Sequence, residues 1–447
     1  MDLKLNLLSL FGVYGLCFIA WLTSERRDKI PWELIKYGLG IQFVLGLLIF
    51  VVPVTRDVIV FLNNFMNAFL DASEAGARFL FGNVFVPDPS KPNPTAPNIG
   101  FVFAFRALPQ VIFFSGVISL AYRLNMIQPI VKVFAKFFYK TMKISGAESL
   151  SGAANIFVGI ESVVAIRPYL EKMTRSEICA VLSSCFGSIS STVLGLYATL
   201  LRPSIPTITG HLMAASVLTI PACFVLAKII VPETEIPLTM GGIPEEEDSK
   251  EEKKGLMDTL IKGTIDGVQM AVGIAAVIIG ILGIFAIVNT IFSGLAGLEK
   301  SDNVFLILMG MVFKWVSLDN IFALLFFPLT FLTGVSWDMG EVWKASTLIG
   351  NRLVQTSIPS FIALQQYAAD GAISQRTLLI VSYVLCGFAH IPSMGIFIGG
   401  MTSLVPSRAN DISSVALKAL WAATLATLMT GCIAGIYEFG SSAVFGK

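Results

Sequence analysis

The sequence predicts an all-α membrane protein with eight transmembrane helices, two re-entrant hairpins in inverted repeats, and helices at the membrane interface. Three observations predict this fold class. Of the 447 residues, 55% are hydrophobic and 14% are charged, whereas soluble domains average about 25% charged residues. Several apolar runs reach the roughly 20 residues that a helix needs to cross a bilayer. Two further segments divide into shorter arms, which indicates hairpins that enter and leave on one side.

The same composition argues against several function classes. The net charge is only +1 and no basic stripe is present, so we expect no nucleic-acid partner. The chain contains no H-E-x-x-H, G-x-S-x-G or phosphate-loop motif, so we expect neither an enzyme nor a bound cofactor. The first apolar run ends in charged residues without a small-residue cleavage site, which favours a membrane span over a signal peptide.

Residues 1–100 are predicted to form a peripheral region. Its elements are two spans, an amphipathic helix at the outer surface and a proline-rich loop, at residues 4–23, 34–54, 55–82 and 83–99. The loop 24–33 carries Arg26, Arg27 and Lys29, whereas the longer loop has a single lysine. The positive-inside rule therefore places loop 24–33 in the cytoplasm and the proline-rich loop outside.

Two repeats of five elements are predicted at 101–231 and 266–447, joined by a cytoplasmic loop at 232–265 with a solvated run of glutamates and lysines. Each repeat has a span, an interfacial arm, a re-entrant hairpin, a broken span and a last span. The first repeat places them at residues 101–122, 123–143, 146–172, 174–201 and 206–231. The second repeat places them at residues 266–294, 303–333, 340–367, 374–402 and 413–438.

The repeat relation rests on the order of elements and on short local matches. Arg175 corresponds to Arg376, and the segment 185–189 corresponds to 387–391, at an offset of about 200 residues. One repeat starts from the outside and the other from the inside, so the repeats are inverted. Discontinuous helices that meet near the midplane in inverted repeats are how many secondary transporters build their binding site.

Longer motifs resemble the concentrative nucleoside transporters over roughly residues 100–447. The first-half motifs are Gly146-Ala147-Glu148-Ser149-Leu150, Asn155-Ile156-Phe157-Val158-Gly159 and Ile166-Arg167-Pro168-Tyr169-Leu170. The second-half motifs are Leu385-Cys386-Gly387-Phe388-Ala389, Gly395-Ile396-Phe397-Ile398-Gly399-Gly400 and Cys432-Ile433-Ala434-Gly435-Ile436. The resemblance implies a homotrimer of eight-span protomers in the plasma membrane, or the inner membrane of a bacterium. It also implies a transport domain that moves like an elevator against a trimeric scaffold.

The resemblance further implies a coupling ion, sodium or a proton. In sodium-coupled members the ion lies between the first hairpin tip and the unwound fourth span. Matching positions give the expected sodium ligands Asn155, Val158, Ser188 and Ile189. Such a set suits a small hard cation, because unwound backbone and amide groups present oxygen without a net charge.

The chain departs from the family pattern where members contact the nucleoside. Members usually read Gly-Gln-Thr/Ser-Glu at the first tip; here it is Gly159-Ile160-Glu161, so the glutamine is replaced. At the second tip, Thr356 and Ser357 begin a run that lacks the family glutamate. The seventh span has Phe-Ala-His-Ile in place of Phe-Ala-Asn-Phe. The expected substrate-binding residues are Gly159, Ile160, Glu161, Val193, Thr356, Ser357, Phe388, His390 and Ser393.

Several of these residues keep more than one interpretation. Glu161 is either a substrate or proton ligand or a structural partner of Arg167, and an ionisable residue at membrane depth favours a functional role. His390 has three possible roles: it contacts the substrate, it titrates and so links transport to protons, or it only packs against its neighbours. Ser188 is either an ion ligand or bonded to its own helix. Glu148 is expected to anchor the start of the first hairpin.

The sequence therefore predicts an ion-coupled symporter, with sodium as the expected ion, for nucleosides or nucleoside-like solutes. The alternative is a symporter for a non-nucleoside small polar solute, such as one without ribose, because the carboxylate that holds ribose in the family is missing here. A membrane enzyme using Glu161 and His390 and a passive channel are further rivals. The enzyme requires a ligand set that activates water, which the sequence lacks. The channel requires flux without accumulation.

Overall fold

The computed structural model describes residues 2–87, 102–157, 159–242 and 255–440, and in these ranges it contains helices and no strands. The helices of the first half are α1 (Leu3–Leu22), α2 (Trp32–Phe50), α3 (Pro53–Phe81), α4 (Phe103–Arg106), α5 (Leu108–Arg123), α6 (Gln128–Met142), α7 (Gly146–Ala154), α8 (Arg167–Leu170), α9 (Arg175–Gly187), α10 (Ser191–Leu201) and α11 (Ile208–Ile230). Those of the second half are α12 (Leu256–Ala296), α13 (Val304–Trp315), α14 (Leu318–Leu332), α15 (Met339–Gln355), α16 (Ser357–Ala369), α17 (Gln375–Leu385), α18 (Ile391–Leu404) and α19 (Ala409–Tyr437).

The membrane-crossing helices agree with the predicted fold class. In the described part of the chain, six helical segments are long and apolar enough to cross a bilayer unaided, namely α1, α2, α4 with α5, α11, α12, and α19 with the turn before it. The fourth and seventh spans were predicted to be broken, and each is interrupted, because α9 stops at Gly187 and α17 stops at Leu385. Each half is too short to cross by itself. Six whole spans and two broken ones give the eight expected.

Both hairpins are also made of arms too short to cross. The first consists of α7, with 9 residues, a turn, and a 3-10 helix over Ile160–Ile166 that leads into α8. The second consists of α15 and α16, which meet at Thr356. The predicted interfacial arm 303–333 is the pair α13 and α14, bent by 57°. The division of the chain into repeats at the predicted boundaries stays a prediction.

Two helices have bounds that differ from those of the predicted spans, for local reasons. The second span was expected to reach residue 54, but Pro53 occupies the first turn of α3, a position where its fixed φ and missing N–H favour a new helix. The sixth span was expected from 266, but α12 begins at Leu256 and removes ten residues from the predicted loop 232–265. These residues hold no proline, so the helix continues from Gly255 without a break.

Small residues let α5 and α12 pack almost backbone to backbone. A Cβ at Gly263 would lie 2.3 Å from Ser119 Oγ, and one at Gly267 would lie 2.8 Å from Ile112 Cα. On the facing helix, a Cβ at Gly116 would lie 2.5 Å from Thr264 Oγ1. Such stripes of small residues are how membrane helices approach closely when lipid offers no hydrophobic driving force. The two helices therefore form one rigid pair.

The helices α11 and α19 form the centre of the part of the molecule that contains the broken spans. In each of them, 89% of the most apolar 18-residue stretch is buried. They pack against each other and against α9 and α17. Outside the bilayer region, the carboxylate of Glu25 connects the loop after α1 to this part by pairing with Arg175 (2.9 Å) and Lys418. Partial burial raises the pKa of Glu25, but hydrogen bonds from the two cations outweigh burial and lower it below its ordinary value.

The crossing of the two broken spans is predicted to leave no room for a side chain at Gly387. A Cβ at Gly387 would lie 2.4 Å from the carbonyl oxygen of Gly187, so Gly387→Ala forces the backbones apart. We expect a loss of about 1–3 kcal/mol of stability, as for other overpacked sites, measured as a lower midpoint of thermal unfolding in detergent. Gly395→Ala is the control, since open space surrounds Gly395. Equal midpoints for the two variants would contradict the crossing.

Candidate functional site

The site is built where the two broken spans cross. Gly187 and Gly387 approach as just described, and the backbone N–H of Phe388 donates to the carbonyl oxygen of Ser188 at 3.4 Å. The interrupted segments therefore supply hydrogen-bond partners to each other. Backbone groups left without a partner at membrane depth cost several kcal/mol each, so this contact helps both breaks to persist.

The first hairpin is fastened to α9 by Asn155, which is fully buried. Its Nδ2 donates to Ser184 Oγ at 2.9 Å and contacts Cys185 Sγ at 3.4 Å. Its Oδ1 accepts a hydrogen bond from Ser162 Oγ, on the other arm of the hairpin, at 3.0 Å. One amide side chain therefore connects both hairpin arms with the last turn of the first half-span.

The break after α9 presents oxygen atoms with unmet bonding capacity. Ser188 follows the helix in an extended conformation (φ −93°, ψ 168°), so the last carbonyls of α9 have no following turn to bond. Its hydroxyl is buried and has no hydrogen-bond partner among the described residues. An unsatisfied buried hydroxyl costs about 1–3 kcal/mol. These neutral oxygens, with Asn155 nearby on the hairpin, fit a sodium ion.

The two remaining expected sodium ligands, Ile189 and Val158, add less to the description of the ion site. Ile189 follows Ser188 directly and is fully buried, as a residue offering only its backbone carbonyl would be. Val158 lies outside the described residues. Across the part of the chain that the structure describes, no three His, Cys, Asp or Glu side chains cluster as metal ligands.

The first hairpin tip supplies three of the expected substrate contacts. Gly159 immediately precedes the 3-10 helix that contains Ile160 and Glu161. The side chains of Ile160 and Glu161 lie outside what the structure describes. Val193 lies in the first turn of α10, just after the break, and is 4% exposed. The start of α10 thus lies directly after the break that holds Ser188.

The second hairpin tip is turned by Thr356, which has a φ of +77°. A β-branched residue rarely adopts this left-handed conformation, and such strain costs about 1–3 kcal/mol. Its hydroxyl is buried without a partner among the described residues. The next residue, Ser357, donates from Oγ to the carbonyl oxygen of Gly387 at 3.1 Å. The second tip is thus fastened to the second break by its own hydroxyl.

His390 begins α18 and uses its ring to cap that helix. Its Nδ1 accepts a hydrogen bond from the backbone N–H of Ser393 at 3.1 Å, so Nδ1 carries no proton and Nε2 is the ring atom left for a ligand. Ser393 Oγ donates to the carbonyl oxygen of His390 at 2.6 Å. The Phe388 ring meets the His390 ring edge-on, with centroids 5.9 Å apart. Protonation at Nδ1 would remove the cap.

An arginine that the sequence analysis passed over lies close to this site. Arg352 of α15 is 1% exposed, and both of its terminal nitrogens contact Thr427 Oγ1 at 3.1 Å. One of them also donates to the carbonyl oxygen of Val384, in the last turn of α17. A charged residue in the arm of a predicted hairpin is itself a functional signal, and that signal was available in the sequence.

The root of the first hairpin is an ion-paired cluster. Glu148 closes a capping box with Ser145 at the start of α7 and pairs with Lys228 of α11 at 2.7 Å. Lys228 also pairs with Glu233 at 2.9 Å. This geometry agrees with the expected anchoring role of Glu148, since the contacts fix the hairpin base to α11.

An apolar cavity of about 310 Å³ lies between α12 and the hairpin side of the molecule. Phe285 and Val288 line it from α12, and Val354, Ile391 and Pro392 line it from α15 and α18. The cavity therefore lies where α12 faces the second hairpin and the helix that His390 caps.

Family models match most of the chain. The model of the Na+ dependent nucleoside transporter C-terminus matches residues 211–435, its N-terminal counterpart matches 11–84, and a nucleoside-recognition gate model matches 104–204. The chain belongs to the nucleoside transporter family. It is accordingly a multi-pass membrane transporter and not an enzyme.

Individual family members agree with this assignment. An uncharacterized transporter of Haemophilus influenzae is 34% identical over 96% of this chain and 97% of its own. The sodium/nucleoside cotransporter 1 of Rattus norvegicus is 32% identical over 96% of this chain, which spans 64% of the length of that protein. The transporter CNTnw is 31% identical, with TM-scores of 0.86 in an inward-facing substrate-bound state and 0.87 for an outward-facing double variant. These matches cover 99% of this chain and 100% and 99% of CNTnw.

His390 is predicted to stabilise α18 through its cap. His390→Ala removes the acceptor for the Ser393 N–H and is expected to cost about 1 kcal/mol, a typical value for a lost N-cap. His390→Asn keeps a side-chain acceptor and is expected to stay close to the native midpoint of thermal unfolding. Two variants that are destabilised equally would show that the ring acts by packing and not as a cap.

Proposed function

We propose that this nucleoside transporter imports nucleosides or nucleoside-like solutes together with a cation, sodium in the first instance. The observation that carries the proposal is the docking of the first hairpin on the broken end of α9 through Asn155, beside the unpartnered hydroxyl of Ser188. Oxygens from the hairpin and from the broken helix converge there, and an ion that binds both holds the hairpin in its docked position.

In this mechanism Asn155, Val158, Ser188 and Ile189 provide the sodium ligands. The ordered tip then presents Gly159, Ile160 and Glu161 to the solute from one side. The second tip and the start of α18 present Thr356, Ser357, Phe388, His390 and Ser393 from the other, and Val193 completes the site on α10. Coupling follows because the ion and the solute favour the same docked hairpin, so each raises the affinity for the other.

The elevator movement implied by the family resemblance has a physical basis in the apolar cavity. The side chains that line it from α12 and from the second hairpin are hydrocarbon. Dispersion contacts of this kind are non-directional and can be exchanged for others without breaking a hydrogen bond. The hairpins and broken spans would move as one body past the α5–α12 pair, and the hydrogen bond from Gln110 of α5 to Thr199 of α10 (2.9 Å) would break in that movement. A homotrimer built on the α5–α12 pair would keep that pair fixed in the membrane.

A second candidate is a symporter for a solute without a ribose diol. It is favoured by the second hairpin tip, where the run 355–361 contains no carboxylate and the Ser357 hydroxyl already donates to Gly387. A site that bonds substrate hydroxyls rejects analogues without them by factors of about 10⁴–10⁵. A site without that acceptor has no such means of discrimination.

Uptake into proteoliposomes tests the function directly. Labelled nucleosides are supplied under an inward sodium gradient and under choline, with and without a proton gradient. Accumulation above the external concentration only with sodium is the expected result. Accumulation driven by protons alone would show that the coupling ion is the proton and not sodium. Equilibration without accumulation would favour a channel. No uptake under any condition would remove nucleosides as substrates.

Asn155 is predicted to be needed for the sodium response. Asn155→Ala removes an oxygen ligand and is expected to weaken sodium binding about tenfold, equivalent to about 1.4 kcal/mol. The measurement is the sodium dependence of the unfolding midpoint of the purified protein, with choline as the inert cation. Asn64→Ala, at an exposed position on α3, is the matched control. An unchanged sodium dependence in Asn155→Ala would remove Asn155 from the ion site.

Ribose hydroxyls are predicted to matter little for recognition. A 2′,3′-dideoxynucleoside is expected to compete for uptake with an inhibition constant within about tenfold of that of its parent nucleoside. The reason is that the tip at 355–361 has no carboxylate to accept hydrogen bonds from the ribose hydroxyls. Competition by the free nucleobase, measured in the same assay, separates the two candidate functions. Equal potency of base and nucleoside favours the solute without ribose, whereas a loss of several hundredfold for the dideoxy compound contradicts the prediction.

A further inference from the structure

The inverted repeats place a hairpin arm beside the carboxyl end of each interrupted span. The first such end is that of α9 at Gly187, and the second is that of α17 at Leu385. A helix that stops inside the bilayer region leaves carbonyl oxygens without partners, and its carboxyl end carries partial negative charge. Both ends therefore attract a cation, and the chain contains two related positions at which one would bind.

The two positions are occupied differently. The α9 end receives neutral groups from its hairpin, namely the amide of Asn155 and the hydroxyl of Ser162. The α17 end receives the guanidinium of Arg352, which donates to the carbonyl oxygen of Val384 and contacts Thr427 Oγ1. Asn155 and Arg352 both lie near the tip of their own hairpin, so the two repeats present different chemistry at related places.

Arg352 has no carboxylate partner among the side chains that the structure describes, although it is 1% exposed. Its Nε is buried without an acceptor in the same residues. The counter-charge for this cation is therefore the carboxyl end of α17 itself, together with the hydroxyl of Thr427. A guanidinium keeps its proton across the physiological pH range, so this end carries a cation at every stage of transport.

We infer that Arg352 is a built-in cation that takes the place of a second coupling ion. The carboxyl end of α17 is filled permanently, and only the α9 end exchanges an external cation. The inference rests on the proposed function and deepens it, since it assigns one cation per protomer in each transport cycle. Arg352 acts here as a positioning residue, because it holds the second break in place and does not touch the solute.

Arg352→Ala is the central variant, since it opens a space of guanidinium shape at the end of α17. In choline the variant is expected to unfold at a lower temperature than the native protein. Millimolar guanidinium is expected to restore part of that loss, and urea at the same concentration is the neutral control of similar shape. Arg352→Lys keeps the charge and is expected to retain most of the stability without added cation. Arg202→Ala, which removes an exposed ion pair with Asp71, is the matched arginine control and is expected to show no rescue.

Sodium stoichiometry of the native protein provides the second measurement. Equilibrium binding of radiolabelled sodium is expected to give one ion per protomer. Two ions per protomer would overturn the inference, even if Arg352→Ala failed to fold. So would a folded Arg352→Ala protein that is as stable as the native one in choline, or one that guanidinium rescues no better than urea. A native protein without any sodium response would contradict sodium coupling instead, and the guanidinium rescue would still decide the role of Arg352.

Discussion

The contact between Gly187 and Gly387 is the constraint on which the other contacts of the site depend. Each residue lies where a span stops inside the bilayer region, and a side chain at Gly387 would collide with the opposite carbonyl group. This approach lets Phe388 donate to Ser188 and leaves Ser357 within reach of Gly387. The two breaks therefore support each other, because one backbone carbonyl that lipid cannot satisfy finds its donor on the opposite break.

The paired breaks hold two hairpins that do different work. The first is fastened by a neutral amide that bridges both of its arms, an arrangement that leaves room for an exchangeable ion. The second is fastened by a serine hydroxyl and, deeper in its arm, by a permanent cation. Inverted repeats begin with equal halves, but a transporter needs only one half to respond to the ion gradient. The unequal polar residues of the two arms supply that asymmetry.

Apolar run length predicted the fold class because the bilayer fixes how long a crossing helix must be. The breaks were also visible, since Ser183–Thr192 and His390 are poor continuations of an apolar helix. The sequence did not reveal the early start of α12 at Leu256, because a helix that leaves the membrane loses its apolar signal. It did not reveal the cap that His390 provides to Ser393 either. Partners of this kind follow from backbone geometry, which hydropathy does not encode.

The distribution of polar contacts bears on how the proposed movement is possible. Hydrogen bonds and ion pairs connect the first hairpin to α9 and α11, and the second hairpin to α17 and α19. The cavity facing α12 is lined by hydrocarbon. The bonds just named would have to break if the hairpins slid against α9 or α17. They are kept if the hairpins and the broken spans move together, although that movement breaks the bond from Gln110 of α5 to Thr199 of α10 (2.9 Å). The polar contacts around the hairpins therefore support a body that moves as a unit, and the apolar cavity lies at one of its boundaries.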